Sequence, residues 1–408
     1  MEQIVLPKRD LQAWVREKLF MDMTLVEYIK SLFTPFNIIA ALIILPGLAL
    51  VILRYTYGLS AILNPSNTYP WGLFICFGLL GIVPLSATGY IMASTVYLFG
   101  MKEYRPLLRL SLLTGFLGYF FAVVFVFIDI GRSWRLPYPI LVSYGTASVL
   151  FLVGWHVALY LTTQFVELLP SFFEWLDADK LRRWAHKITI GATIFGVILS
   201  TLHQSALGAL FLLMPGKVHP LWYSPYLPLF FFIQSIFAGL SMIILVGVLS
   251  RRFLRKAADS EFLTTLDRLT VGMAKGASVV LFTYFAMKLV GLAHGDHWNL
   301  LSTSYGTWFM VEMLVFVLLP CLLFAVGHRN RDVQLIRITS VLTIIGVFIN
   351  RLNVSLISFN WNLPHREYPK WSEYVVVVMA LTIGVLAYRW FVNRVPIIRQ
   401  HPVYKDTH

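Results

Sequence analysis

The chain reads as long apolar blocks separated by short polar segments, unlike the brief alternating patches of a soluble core. A bilayer core about 30 Å thick takes roughly 20 residues of helix. Ten blocks of that kind are bounded by charge, Pro or Gly clusters: approximately residues 35–54, 70–98, 107–131, 138–166, 186–214, 227–250, 269–293, 306–327, 334–359 and 373–395. Segments of about ten alternating residues, the mark of a membrane β-barrel, are absent. The expected fold is an all-α polytopic membrane protein with ten transmembrane helices. Residues 1–33 are too charged and amphipathic for a cleaved signal, and "LVEYIKSLF" is expected to lie on the inner surface. A membrane domain is expected over 34–395, followed by a tail over 396–408.

Composition adds little to that picture: 58% of the residues are hydrophobic and 13% charged. Charge adds more. The first segment, the even-numbered loops and the C-terminal end hold 24 of the 33 lysines and arginines, whereas the opposite loops carry six, Arg54, Arg132, Arg135, Lys217, Arg366 and Lys370. Cytoplasmic loops keep the positive excess, so both termini are expected in the cytoplasm of a bacterial inner-membrane protein. The net charge of +13 is this topology signal and not a nucleic-acid footprint. Cys76 and Cys321 both fall within spans and no CxxC occurs, so the chain does not supply the thiolates of an iron–sulfur cluster, and any such centre sits on a partner. Two loops of the outer side, Met214–Pro228 and Asn360–Trp371, are rich in Pro and aromatic rings and suit a stiff docking surface or an aromatic belt.

Polar side chains at membrane depth are costly, and each is a functional hypothesis with a structural rival. Asp129 lies at the outer end of the third span, with Arg132 one helical turn on; a local ion pair is the rival reading. Glu312, Lys288 and Arg351 share an outer depth on the eighth, seventh and ninth spans, where a salt-bridge cluster or a proton route would use them. Lys275 is expected to snorkel. His156 on the fourth span reads as lying toward the cytoplasm, His186 at the inner end of the fifth and His203 about 15 Å from the outer end. Haem needs facing histidine pairs; the one pairing left is His156 with His186, and no haem and no metal site are expected. In "ILSTLHQSALG", His203 and Gln204 instead offer a proton-exchanging imidazole and an amide. A quinone asks for such groups, and packing across helices is the rival. Asp129, Gln234 and Trp71 also fall in the outer half.

Several motifs then combine in order: "PWGLFICFGLLG" (Pro70–Gly81), "DIGR" (Asp129–Arg132), "STLHQSALG" (Ser200–Gly208), "WFMVEMLVFVLLP" (Trp308–Pro320), "INRLNV" (Ile349–Val354) and "YPKWSEY" (Tyr368–Tyr374). Together they resemble the NrfD/PsrC family of quinone-interacting membrane subunits, and within it the ten-span HybB type. The resemblance implies two four-helix bundles, spans two to five and six to nine, with one flanking helix at each end. It also implies a menaquinone or ubiquinone site near the outer face, meeting a periplasmic iron–sulfur subunit of the multi-cluster ferredoxin type. Beyond that subunit would lie a hydrogenase, a molybdenum enzyme or a multihaem cytochrome c. His203 and Asp129 would be catalytic; His203, Gln204, Trp71, Asp129 and Gln234 would line the quinone; His156, Glu312, Lys288 and Arg351 would move protons. One departure is plain: Leu152 stands where the family's "SxLFE" pattern has a glutamate, with His156 one turn further on. That points to a divergent branch, such as the menaquinone reductase complexes of sulfate reducers. A proton-coupled secondary transporter is the rival from another class, because helices broken near the midplane, here with Pro84 and Pro320 as candidates, are a transporter device.

Overall fold

The computed structural model describes residues 11–404. The first ten residues of the expected surface segment and the last four of the tail lie outside them. Among the described residues ten helices are long and apolar enough to cross a membrane: Pro35–Tyr57, Phe74–Leu98, Lys102–Asp129, Val149–Trp175, Asp179–Leu212, Leu227–Phe253, Ser260–His294, Ser304–Asn330, Val333–Ile357 and Trp371–Arg394. Nine agree closely with the apolar blocks. The fourth is displaced: it begins at Val149, after a short turn over Tyr138–Leu141, and continues to Trp175. Pro137, Pro139 and Gly145 interrupt the first half of the predicted block, while Ser148 caps the new start through the Phe151 amide. Two further helices precede the spans, Leu11–Phe20 and Leu25–Leu32, the second opened by a capping box between Thr24 and Glu27.

Spans two to five pack in a closed circuit, as do spans six to nine, and the sixth span lies against both the second and the fifth. The first and tenth spans pack on each other, and the tenth reaches the third. The two leading helices pack against the ends of the tenth and fourth spans: Arg394 donates to the Leu19 carbonyl and the Tyr28 hydroxyl, and Lys18 pairs with Asp177 at 2.7 Å. This end carries the lysine and arginine excess and is called the basic end below.

The second and eighth spans are not regular. Phe74–Leu79 and Leu314–Leu318 widen into π-helical turns ahead of Pro84 and Pro320, which lack the amide needed to continue an α-helical ladder. The breaks sit in the first helix of one packing circuit and the third helix of the other, so they occupy unmatched places. At the opposite end the two Pro- and aromatic-rich loops are stitched together. The His219 amide donates to the Ser358 carbonyl at 3.0 Å and the Asn360 amide to the Lys217 carbonyl at 2.6 Å. His219 stacks on Tyr305 and meets Trp361 edge-on, with centroids 4.5 and 4.7 Å away.

Candidate functional site

His203 is fully buried in the fifth span, nine residues or about 14 Å from its end at Leu212. Its Nδ1 lies 2.9 Å from the Leu199 carbonyl, which only accepts, so Nδ1 carries the proton. Nε2 is therefore an acceptor, and the Tyr119 hydroxyl donates to it at 2.5 Å. The same hydroxyl accepts from Gln204 Nε2 at 3.1 Å, and that amide also donates to the Val83 carbonyl. One directed chain thus runs from Gln204 through Tyr119 to His203. Tyr119 meets the Tyr160 ring edge-on, with centroids 4.7 Å apart, and Tyr160 lies 5.4 Å from the His203 ring.

Tyr160 belongs to a stripe of which the sequence reading found only His156. His156, Tyr160, Gln164, Glu167, Ser171 and Glu174 recur at three- and four-residue steps, so all lie on one face of the fourth span. All but the partly exposed His156 are buried. The signal was present as a polar helical period, but the predicted span ended at residue 166 and left both glutamates in a loop. Gln164 donates to the Tyr160 hydroxyl at 3.2 Å, and its amide fills a slot opened by Gly89 and Gly115, where any Cβ would collide with it. Glu167 accepts from Thr193 of the fifth span at 2.7 Å. Glu174 holds Arg109 through two hydrogen bonds of 2.7 and 2.9 Å. The lower part of this stripe opens on a cavity of about 510 Å³ at the basic end, lined by Glu167, Ser171, Arg105, Arg109, His186 and Arg399 among others.

The other expected residues fall into separate places. Gln234 is buried at a similar depth to His203, seven residues or about 10 Å into the sixth span; beside it Tyr90 and Ser235 share a hydrogen bond of 3.0 Å. His156 is seven residues from the start of its span, in the half remote from the basic end. The inward depth expected for it came from starting the span at residue 138. Asp129 lies ten residues beyond Tyr119 on the same helix, about 15 Å from the His203 layer. It makes no ion pair with Arg132. Arg54 of the first span takes over that helix end, donating to the carbonyls of Ile128 and Ile130 on either side of Asp129. Trp71 sits in the aromatic cap between Phe211 and Phe359, each 5.5 Å away by ring centroid.

The expected salt-bridge cluster in the second circuit does not form. Glu312 accepts from Trp222 at 2.7 Å, from Asn350 at 2.6 Å and from Asn353. Lys288 instead faces the rings of Phe230, Tyr284 and Phe309, and the Arg351 guanidinium lies 3.4 Å over the Phe231 ring centroid. Neutral donors saturate the carboxylate and aromatic faces hold the cations, so three buried charges coexist without direct pairing.

Comparison with known proteins gives long matches. A protein of Nitratidesulfovibrio vulgaris (strain Hildenborough) is 48% identical over 93% of this chain and 98% of its own. The probable Ni/Fe-hydrogenase 2 b-type cytochrome subunit of Escherichia coli (strain K12) is 29% identical over 90% of this chain and 93% of its own. The menaquinone reductase integral membrane subunit of N. vulgaris is 23% identical over 81% and 84%. The second name invites a test for haem. Both ring nitrogens of His203 are engaged by Tyr119 and Leu199, and His186 is seventeen residues, about 25 Å, from the layer that holds His156 and His203. These histidines do not form a facing pair and do not fit a haem. Residues 62–358 match the model of the polysulphide reductase NrfD family, and on that match and the near-complete 48% relative the chain belongs to the NrfD family.

Proposed function

We propose that the chain is the quinone-binding membrane subunit of a respiratory oxidoreductase complex in a bacterial inner membrane. The observation that carries this reading is the buried polar layer around His203, which has unpaired atoms on one side and a polar stripe leading to the basic-end cavity on the other. In that layer His156 Nδ1, Gln204 Oε1 and Gln234 Oε1 have no partner. The carbonyl oxygens of a quinone headgroup become hydroxyls on reduction; those hydroxyls can donate to Gln204 Oε1 and Gln234 Oε1, and His156 Nδ1 can donate or accept by its tautomer, within apolar walls. The name of the menaquinone reductase relative supports menaquinone or ubiquinone as substrate, and the relatives' names support partner subunits that carry the redox centres.

In this reading an iron–sulfur partner docks on the aromatic cap formed by the two stitched loops and exchanges electrons with quinone held between Trp71 and the His203 layer. Quinone takes up two electrons and two protons when reduced. The Leu199 carbonyl fixes the neutral tautomer of His203 and Tyr119 can pass a proton to its Nε2, with Gln204 holding the tyrosine oxygen. Glu167, Gln164 and Tyr160 make the route from the cavity, in place of the glutamate that Leu152 replaces. Asp129, close to Arg54, serves the outer surface, while Glu312, Lys288 and Arg351 form a separate charged group in the second circuit. The two packing circuits support two four-helix bundles with a flanking helix at each end. The lysine and arginine excess of the basic end supports a cytoplasmic location for it. The unmatched breaks of the second and eighth spans give the transporter reading no support.

The test uses the purified complex with a water-soluble quinone analogue and, separately, an artificial dye. His203→Ala and Glu167→Gln should each lower quinone turnover at least tenfold while partner activity with dye and subunit stoichiometry persist. Full quinone turnover in His203→Ala removes its role; full turnover in Glu167→Gln alone removes the route but leaves the site.

A further inference from the structure

Lys275 stands on the seventh span with its charge in the wrong solvent. Asp267 accepts from Arg251 at 2.8 Å and from Arg337 at 2.6 Å, joining the basic ends of three spans in an exposed charged layer, as suits the level of a membrane surface. Lys275 lies eight residues further along, about 12 Å toward the middle of the membrane. It is nevertheless exposed on the outside of the helix assembly, and no carboxylate among the described residues lies within ion-pair distance of it. Its outward neighbours along that face, Val279 and Phe282, are 59% and 60% exposed, as expected for lipid contact.

Three features make this more than a solitary snorkelling lysine. Arg268, also exposed, lies seven residues back and so on the same face. Between them Gly272 has no side chain, and the Tyr104 hydroxyl occupies the space its Cβ would need, so the backbone between the two cations is closed off by an aromatic ring from the third span. Side chains on a helix tilt toward its N-terminus, which here is the basic end, so the Lys275 stem runs back past Gly272 toward Arg268. The result is a shallow seam between the two packing circuits, cationic at the membrane surface and apolar beneath it.

We propose that this seam binds an anionic phospholipid of the basic-end leaflet. Its phosphate and headgroup would lie between Lys275 and Arg268, with an acyl chain over Val279 and Phe282. Depth decides for a lipid over a soluble anion: the ammonium is reached from within the bilayer, where phosphate is carried on an acyl chain. A polybasic contact of this kind adds roughly a fivefold preference per charge.

The complex would be reconstituted in phosphatidylcholine nanodiscs containing a minor fraction of phosphatidylglycerol, then stripped with detergent and its retained lipids counted by mass spectrometry. The wild type should retain phosphatidylglycerol well above its share in the disc. Lys275→Met and Arg268→Gln should each cut that enrichment about fivefold, Lys275→Arg should keep it, and Arg329→Gln, an exposed cation at the same end, should leave it unchanged. Unaltered enrichment in Lys275→Met, equal loss in Arg329→Gln, or displacement of the lipid by inorganic phosphate would each overturn the proposal. If Lys275→Met does not assemble, Arg268→Gln and Lys275→Arg decide it on the same terms.

Discussion

Tyr119→Phe is the cleanest perturbation of the candidate site, because it removes one oxygen and keeps the ring. The hydroxyl has two jobs, donating to His203 Nε2 at 2.5 Å and accepting from Gln204 at 3.1 Å. Without it Gln204 keeps the Val83 carbonyl, but the imidazole acceptor is left bare in a fully buried position. A buried unsatisfied group costs about 1–3 kcal/mol in water-soluble proteins. Couplings of interhelical polar pairs measured in a membrane average nearer 0.6 kcal/mol, with a maximum of about 1.7. The pair links the third and fifth spans within an extensive aromatic packing, so a double-mutant cycle of Tyr119→Phe with His203→Leu should give a coupling of about 0.6–1.7 kcal/mol. That is too small to unfold the subunit. Reversible unfolding in mixed micelles would measure the coupling, and quinone turnover per assembled complex would measure function. If the hydroxyl passes a proton to His203, turnover should fall at least tenfold, far more than the stability change explains. A coupling in the predicted range with unchanged turnover would refute the functional reading and leave the pair as packing alone.

Two further outcomes follow from the other polar groups. Glu312→Gln places an amide against three donors, from Trp222, Asn350 and Asn353, and should destabilise the second circuit by about 1–3 kcal/mol, read as a lower unfolding midpoint; an unchanged midpoint would contradict the role of the carboxylate as their shared acceptor. His219 in the outer cap is held by burial down to about 4, with the nearby His297 adding to the effect. Its ordinary value is about 6.5, so the closed cap disfavours the proton that the open cap accepts. Cap stability should therefore be complete above about 6.5 and fall as the pH drops from there toward 4, checked by hydrogen exchange of residues 217–223; exchange independent of pH over that window, after correction for intrinsic rates, would contradict the assignment.

The sequence determined the class of the protein and the number of its crossings, because burying twenty apolar residues in a row has few solutions besides a membrane helix. It singled out His203 and Gln204, since polar groups within apolar blocks are visible without a structure. It did not give their partners. Tyr119 looks like one aromatic residue among many in the third span, and only the packing of that span on the fifth puts its oxygen on the imidazole. The local pair of Asp129 with Arg132 does not form because the helix ends at Asp129 and Arg132 leaves the helical spacing; the cluster expected from matching depth, Glu312, Lys288 and Arg351, failed for a reason related to that of Tyr119. Depth is a coordinate along one axis, and which face a side chain presents depends on how each helix is rotated against its neighbours. The stripe from His156 to Glu174 was written in the helical period but hidden by a misplaced start. Tertiary structure moved the fourth span inward by nearly three turns, and with it Glu167 and Glu174 became buried on the helix face that carries Tyr160.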